Sequence, residues 1–274
     1  MPFALIGFFL GIKDIAPLSP RRGVGGEALL FGLVILCMIF ARSAAMAFNR
    51  WADNKYDKEN IRTKIREIPS GVISPVKALA FVIANCILFI ATTFFINYIC
   101  FYLSPVALLV ILGYSYTKRF TPLCHLILGL GLSLAPIGAF LAVTGEFKLL
   151  PILYSCVVLC WVSGFDIIYA LQDEEFDRAK DLRSIPVLLG KKNALLLSRM
   201  LHVVSACIVM YAGGYAGFHF WYWIGAGIFI SLLIYQHALV KPNDLRKVDL
   251  AFFTTNGIAS VMFAVFFLLE LLTR

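Results

Sequence analysis

The sequence predicts an all-α polytopic membrane protein of about nine transmembrane helices, and three observations carry that prediction. The 274 residues are 61% hydrophobic and only 15% charged, with a mean hydropathy of +0.86, whereas soluble domains run nearer half apolar and a quarter charged. Apolar runs long enough to cross a bilayer, at about 20 residues per crossing, recur along the whole chain. Basic residues gather in alternate connections between those runs. A soluble domain is excluded.

The runs cover residues 1–12, 28–48, 73–96, 98–116, 122–144, 149–171, 194–216, 219–240 and 248–272, and they are read as one domain over 1–274. The first is short. It starts at Met1 with no cationic n-region and no small-residue cleavage site, so it is not a signal peptide and is expected to lack its outer half.

The formal charge is +8, and its distribution gives an orientation. The connections after helices two, four, six and eight hold Arg50 to Arg66, Lys118 and Arg119, Arg178 to Lys192, and Lys241 to Lys247. The opposite connections hold only Lys13, Arg21, Arg22 and Lys148. The richer set is therefore expected to face the cytoplasm from a cell (inner) membrane. The lipid bilayer is the expected surroundings, and no nucleic-acid partner is expected. The seven cysteines are scattered through apolar runs without CxxC pairs and read as packing residues. The four histidines also read as solitary packing or interfacial groups.

Two acidic stripes break this pattern. In "FNRWADNKYD" (48–57), Asn49, Asp53 and Asp57 stand four residues apart, so on a helix continued past the membrane boundary they share one face. Like charges one turn apart repel unless a cation sits between them. Arg42 lies two turns deeper at nearly the same angle. In "GFDIIYALQDEEFDRAKD" (164–181), Asp166, Tyr169, Asp173 and Asp177 again share a face, with Asp181 a turn further on. Asp173 and Asp177 follow Asp53 and Asp57 by 120 positions, and basic residues follow both stripes. This offset is a weak repeat signal. Charges just outside a membrane helix are usually a solvated loop. Arg42 and Asp166, however, lie in apolar sequence, where an ionisable group costs about 2.5 to 3.5 kcal/mol and is functional by default. A structural Arg42–Asp166 ion pair is the bland alternative. Convergent carboxylates framed by Arg62, Arg66, Lys118 and Arg119 suit a diphosphate bridged by Mg²⁺, a hard cation that binds through a few carboxylates plus phosphate oxygens.

These stretches resemble the UbiA superfamily of intramembrane aromatic prenyltransferases over the whole chain apart from the short first helix. The family signature N-[D/R]-x-x-D-x-x-x-D matches "NRWADNKYD" (49–57), and its continuation matches "RTKIREIPSG" (62–71). The second signature matches "DIIYALQDEEFD" (166–177), and the Y-x-x-x-K element matches Tyr114 to Lys118 in "YSYTKR". The resemblance implies nine helices round a central cavity capped by the motif loops. It implies a catalytic set of Asn49, Asp53, Asp173 and Asp177 that holds Mg²⁺ and diphosphate, with Asp57 and Asp181 supporting the metal. It implies Tyr114 and Lys118 on the diphosphate and Arg42 at the aromatic acceptor, with Asp166 a candidate base there. The substrates implied are a polyprenyl diphosphate and an aromatic acid. Many members have Asn-Asp where this chain has Asn49-Arg50, which removes one carboxylate. The Arg50 form resembles a subgroup named for 4-hydroxybenzoate, some of whose members are thought to prenylate 1,4-dihydroxy-6-naphthoate for menaquinone.

An ion-coupled transporter with an Arg42/Asp166 relay is the competing class. Transporter helices usually break near the midplane, however, and these stripes lie at helix ends. A CDP-alcohol transferase lacks its D-x-x-D-G-x-x-A-R run here.

Overall fold

A computed structural model describes residues 2–15 and 24–274. Met1 and residues 16–23, including Arg21 and Arg22 of the charge pattern, lie outside the described residues. The helices are α1 (Pro2–Ile15), α2 (Val24–Ala52), α3 (Asn54–Glu59), α4 (Pro75–Ile96), α5 (Tyr98–Thr117), α6 (Cys124–Thr144), α7 (Leu149–Ala170), α8 (Glu174–Ala179), α9 (Ile185–Ala216), α10 (Phe220–Leu239) and α11 (Asn256–Thr273). A π-helical segment, Leu250–Thr255, leads into α11. The described residues form no β-strand, only an isolated bridge between Lys241 and Asp244.

Among the described residues eight helical runs are long and apolar enough to cross a membrane: α2, α4 to α7, α9, α10 and Leu250–Thr273. The remaining α1 has 14 residues, short of a full crossing as expected. The exposed flanks of the long helices are apolar; Phe95 is 72% and Leu109 73% exposed, a surface that only lipid satisfies.

Helix ends follow local chemistry. Ser74 caps α4 by accepting the Lys77 N–H at 3.3 Å, and Pro75 occupies the first turn, where its missing N–H costs nothing. Asn97 both ends α4 and caps α5, its Oδ1 accepting the Cys100 N–H at 2.8 Å. Gly145 and Gly217 stop α6 and α9 at φ 71° and 61°, the left-handed conformation glycine adopts without strain.

The chain forms two compact units, Met1–Ser19 with Arg119–Arg274, and Pro20–Lys118. In the smaller unit α2 packs on α4 and α5, and Phe48 lies edge-on to Tyr116 at 5.6 Å. In the larger unit the core is an aromatic cluster. Phe3 meets Trp161 at 5.4 Å and Phe263 at 5.7 Å, and Phe229 meets the same two rings at 5.7 and 5.5 Å.

Side-chain hydrogen bonds lock α9 onto α7. Ser198 donates to the Gly164 carbonyl at 2.7 Å and Ser205 to Val157 at 3.1 Å, while His202 Nε2 lies 3.1 Å from the Trp161 carbonyl. Residues 198, 202 and 205 share one helical face. A Cβ on Gly164 would run into the His202 ring, so glycine sets how closely α7 and α9 approach, the small-residue packing that membrane helices favour.

Candidate functional site

The first acidic stripe lies in the smaller unit and does not ride on one continuous helix. α2 ends at Ala52, Asp53 leaves helical torsions at φ −90° and ψ 4°, and the six-residue α3 begins at Asn54. The four-residue spacing survives because the Asp53 N–H still donates to Asn49 at 2.9 Å and the Asp57 N–H to Asp53 at 2.8 Å. The second stripe, in the larger unit, also breaks before a six-residue helix, but over three residues where the first break takes one. α7 ends at Ala170, Asp173 sits at φ −101° and ψ 2°, α8 begins at Glu174, and the Asp177 N–H donates to the Asp173 carbonyl at 2.8 Å. α3 and α8 have equal length and start 120 positions apart. The repeat seen as a weak offset in sequence thus recurs in the torsions of Asp53 and Asp173 and in the short helix after each, and the continuous-helix expectation is corrected in both copies.

The carboxylates differ in environment. Asn49 Nδ2 donates to Asp53 Oδ2 at 3.1 Å, which turns the Asn49 carbonyl oxygen toward other partners. Asp57 is buried, and Arg66 Nη1 donates to its two oxygens at 3.1 and 3.0 Å. Arg66, expected on a diphosphate, therefore also holds Asp57. Arg50, the departure from the commoner Asn-Asp form, pairs with Glu67. A hydrogen bond to its own backbone N–H, then Arg50, hold the Glu67 carboxyl below its ordinary range. These two ion pairs fasten the loop that holds Arg66 and Glu67 to α3 and to the end of α2. Replacing Arg66 with Gln is expected to lower the stability of the folded protein by about 1 to 3 kcal/mol by leaving a buried carboxylate short of its donor; Arg66→Lys recovers part of it, as a shift in denaturation midpoint shows.

Asp177 is buried and Asp173 half-buried. Asp181 is exposed and takes φ 53°, the left-handed region that aspartate tolerates better than most residues. It ends the turn that follows α8. Tyr114 and Lys118 stand one turn apart at the end of α5, both half-buried, as are Arg62 and Arg119. Arg42 is exposed on α2.

Asp166 sits within α7, and its partner is His125: Nδ1 to Oδ2 measures 2.6 Å. The Ile185 N–H points at His125 Nε2 from 3.4 Å, so the ring proton belongs on Nδ1, donated to the carboxylate. The expectation that the histidines stand alone fails here, and fails again where His237 Nε2 meets His202 Nδ1 at 2.9 Å. The available signal for His125 was its place at the start of an apolar run, in a chain with an unpaired intramembrane aspartate.

Oxygen donors alone line both stripes, and among the described residues no three His, Cys, Asp or Glu side chains converge to hold a metal by themselves. Such a set fits Mg²⁺ shared with phosphate oxygens and does not make an all-protein cage.

The chain is similar to known proteins over most of its length. A 4-hydroxybenzoate octaprenyltransferase of Methylococcus capsulatus is 28% identical over 249 residues, 90% of this chain and 82% of that protein. The apo structure of a UbiA homolog from Aeropyrum pernix K1 superposes with a TM-score of 0.82 at 26% identity, covering 99% of this chain and 96% of that one. A UbiA homolog from Archaeoglobus fulgidus bound to DMAPP and Mg²⁺ shares the fold, with a TM-score of 0.73 at 20% identity over 100% of this chain and 96% of that one. The family model for UbiA prenyltransferases matches residues 1–266. With eight apolar spans among its described residues, the chain is an integral membrane enzyme that belongs to the UbiA prenyltransferase family.

Proposed function

We propose that this chain, acting as one catalytic domain over residues 1–274, transfers a polyprenyl group from polyprenyl diphosphate to a ring carbon of an aromatic acid of the 4-hydroxybenzoate type. The observation that carries the reading is the repeated break, in which Asp53 and Asp173 take similar torsions beyond the end of a membrane helix and before a six-residue helix. The relatives' names favour 4-hydroxybenzoate. The Arg50 form keeps 1,4-dihydroxy-6-naphthoate, and with it menaquinone synthesis, as the second acceptor to measure.

In this reading Asn49, Asp53, Asp173 and Asp177 would hold Mg²⁺, with Asp57 and Asp181 supporting, and the metal would supply positive charge to the departing diphosphate. Tyr114, Lys118, Arg62, Arg66 and Arg119 bind and orient the diphosphate oxygens, so that the allylic C–O bond breaks with its electron pair leaving on oxygen. Arg42 receives the acceptor carboxylate with its planar donor pair. The ring carbon beside the hydroxyl forms the new C–C bond, and its proton leaves to Asp166, which His125 orients. The motif loops face the cytoplasm, in line with their basic residues.

The test uses purified protein, geranyl or longer prenyl diphosphate, and each radiolabelled acid in turn. Labelled product is expected only with Mg²⁺, with 4-hydroxybenzoate the faster acceptor. Product formed equally in EDTA would refute the metal assignment, and ion uptake into proteoliposomes without transfer would favour the transporter class.

A further inference from the structure

Between α9 and α10 the larger unit opens a cavity of about 580 Å³, and its chemistry is divided. Along its length it is apolar, with Met210, Ile230 and Leu233 among its walls; Arg199, His202 and His237 also line it. His237 lies in the last turn of α10, so the basic groups gather toward one end.

Arg199 is exposed, lies inside an apolar span, and among the described residues makes no ion pair or hydrogen bond. A guanidinium in that position needs an anion, because an uncompensated charge at membrane depth is costly. The histidines do not supply one. The Trp161 carbonyl can only accept, so His202 carries its proton on Nε2 and receives the His237 Nε2–H at Nδ1. This leaves His237 Nδ1 bare, buried and without a partner. Both rings are neutral in this arrangement, and Arg199 is the one fixed charge among the residues that line the groove.

From Arg199 to Met210 the groove runs roughly 16 Å along α9 at 1.5 Å per residue, about the ~15 Å depth of one leaflet's hydrocarbon. One cation at the head of an apolar channel of that length complements a singly charged phosphodiester with a hydrocarbon tail. A prenyl diphosphate would bring two or three negative charges to a single arginine. A zwitterionic lipid would bring its own cation beside Arg199.

We propose that this groove binds one anionic phospholipid, its phosphate on Arg199 and one acyl chain between α9 and α10. Basic pockets between membrane helices are suited to such headgroups.

The test places the full-length protein in nanodiscs of phosphatidylcholine with graded phosphatidylglycerol, then counts retained lipid by native mass spectrometry after transfer to detergent. Phosphatidylglycerol should be retained about fivefold more tightly than phosphatidylcholine, the scale of one basic residue at a membrane surface. Arg199→Gln should abolish that preference. Ala206→Phe, which places a ring in the groove, should release both lipids, whereas Arg246→Gln, in the loop after α10, should behave as wild type. Equal retention of the two lipids by the wild type overturns the proposal without recourse to any variant, as does an unchanged preference in Arg199→Gln. Displacement of phosphatidylglycerol by farnesyl diphosphate at tenfold lower concentration overturns the choice of ligand.

Discussion

Asp53→Ala and Asp173→Ala each lower kcat/KM for prenyl transfer by at least about a hundredfold, the scale seen when one preorganised group facing transition-state charge is removed. Neither side chain caps the short helix that follows it, so both variants keep the backbone bonds that position α3 and α8. Their denaturation midpoints are therefore expected near wild type. Asp57 would be a poorer choice, because its loss also strands Arg66. The measurement is initial rate against Mg²⁺ concentration for each variant. If either enzyme turns over at the wild-type rate, the equivalence of the two breaks fails. A rate restored by raising Mg²⁺ instead places the defect in metal affinity, which the same reading allows.

The second large effect concerns stability. Glu270 is 2% exposed in α11, and its carboxylate accepts the His219 N–H at 2.7 Å and the Tyr222 N–H at 3.4 Å. His219 makes no side-chain cap of its own, so a neighbouring helix satisfies the first N–H groups of α10. Its negative charge also meets the positive end of that helix. Glu270→Ala should cost about 2 to 3 kcal/mol, because one buried and one partly buried N–H lose their acceptor. Glu270→Gln, which keeps one carbonyl oxygen, should recover about half. Unfolding by denaturant titration in detergent reads both values. An alanine variant as stable as wild type would mean that water or lipid headgroups replace the carboxylate.

The spans were legible because a bilayer imposes a length and an apolar composition that no propensity overrides. The breaks at Asp53 and Asp173 were not. Steps of four residues fit a continuous helix and no glycine or proline marks either position; Asp53 even keeps its i to i−4 bond to Asn49, whereas Asp173 bonds three residues back to Ala170. The acidic motifs themselves were legible, since intramembrane and juxtamembrane carboxylates stand out against apolar sequence. Their partners were harder. Arg66 and Glu67 lie in a loop and pair with residues 9 and 17 positions earlier, spacings that no helical or strand period reports. His125 meets Asp166 across 41 positions, a contact between neighbouring helices that one helix's periodicity does not report. The π-helical turn at Leu250–Thr255, where Phe252 stacks on Tyr169 at 4.2 Å, likewise has no signal in apolar spacing.

A single glycine makes α9 two rods joined end to end. Gly190, at φ 74° and ψ 162°, occupies torsion space that is essentially closed to residues with a Cβ, and it separates Ile185–Leu189 from the rod that crosses the bilayer. The kink sets the direction of the short piece, and of the chain leading back to Asp181, apart from the direction of the long rod. A side chain with a Cβ at position 190 would therefore disturb the rim that carries Asp181 before it disturbed the spanning rod.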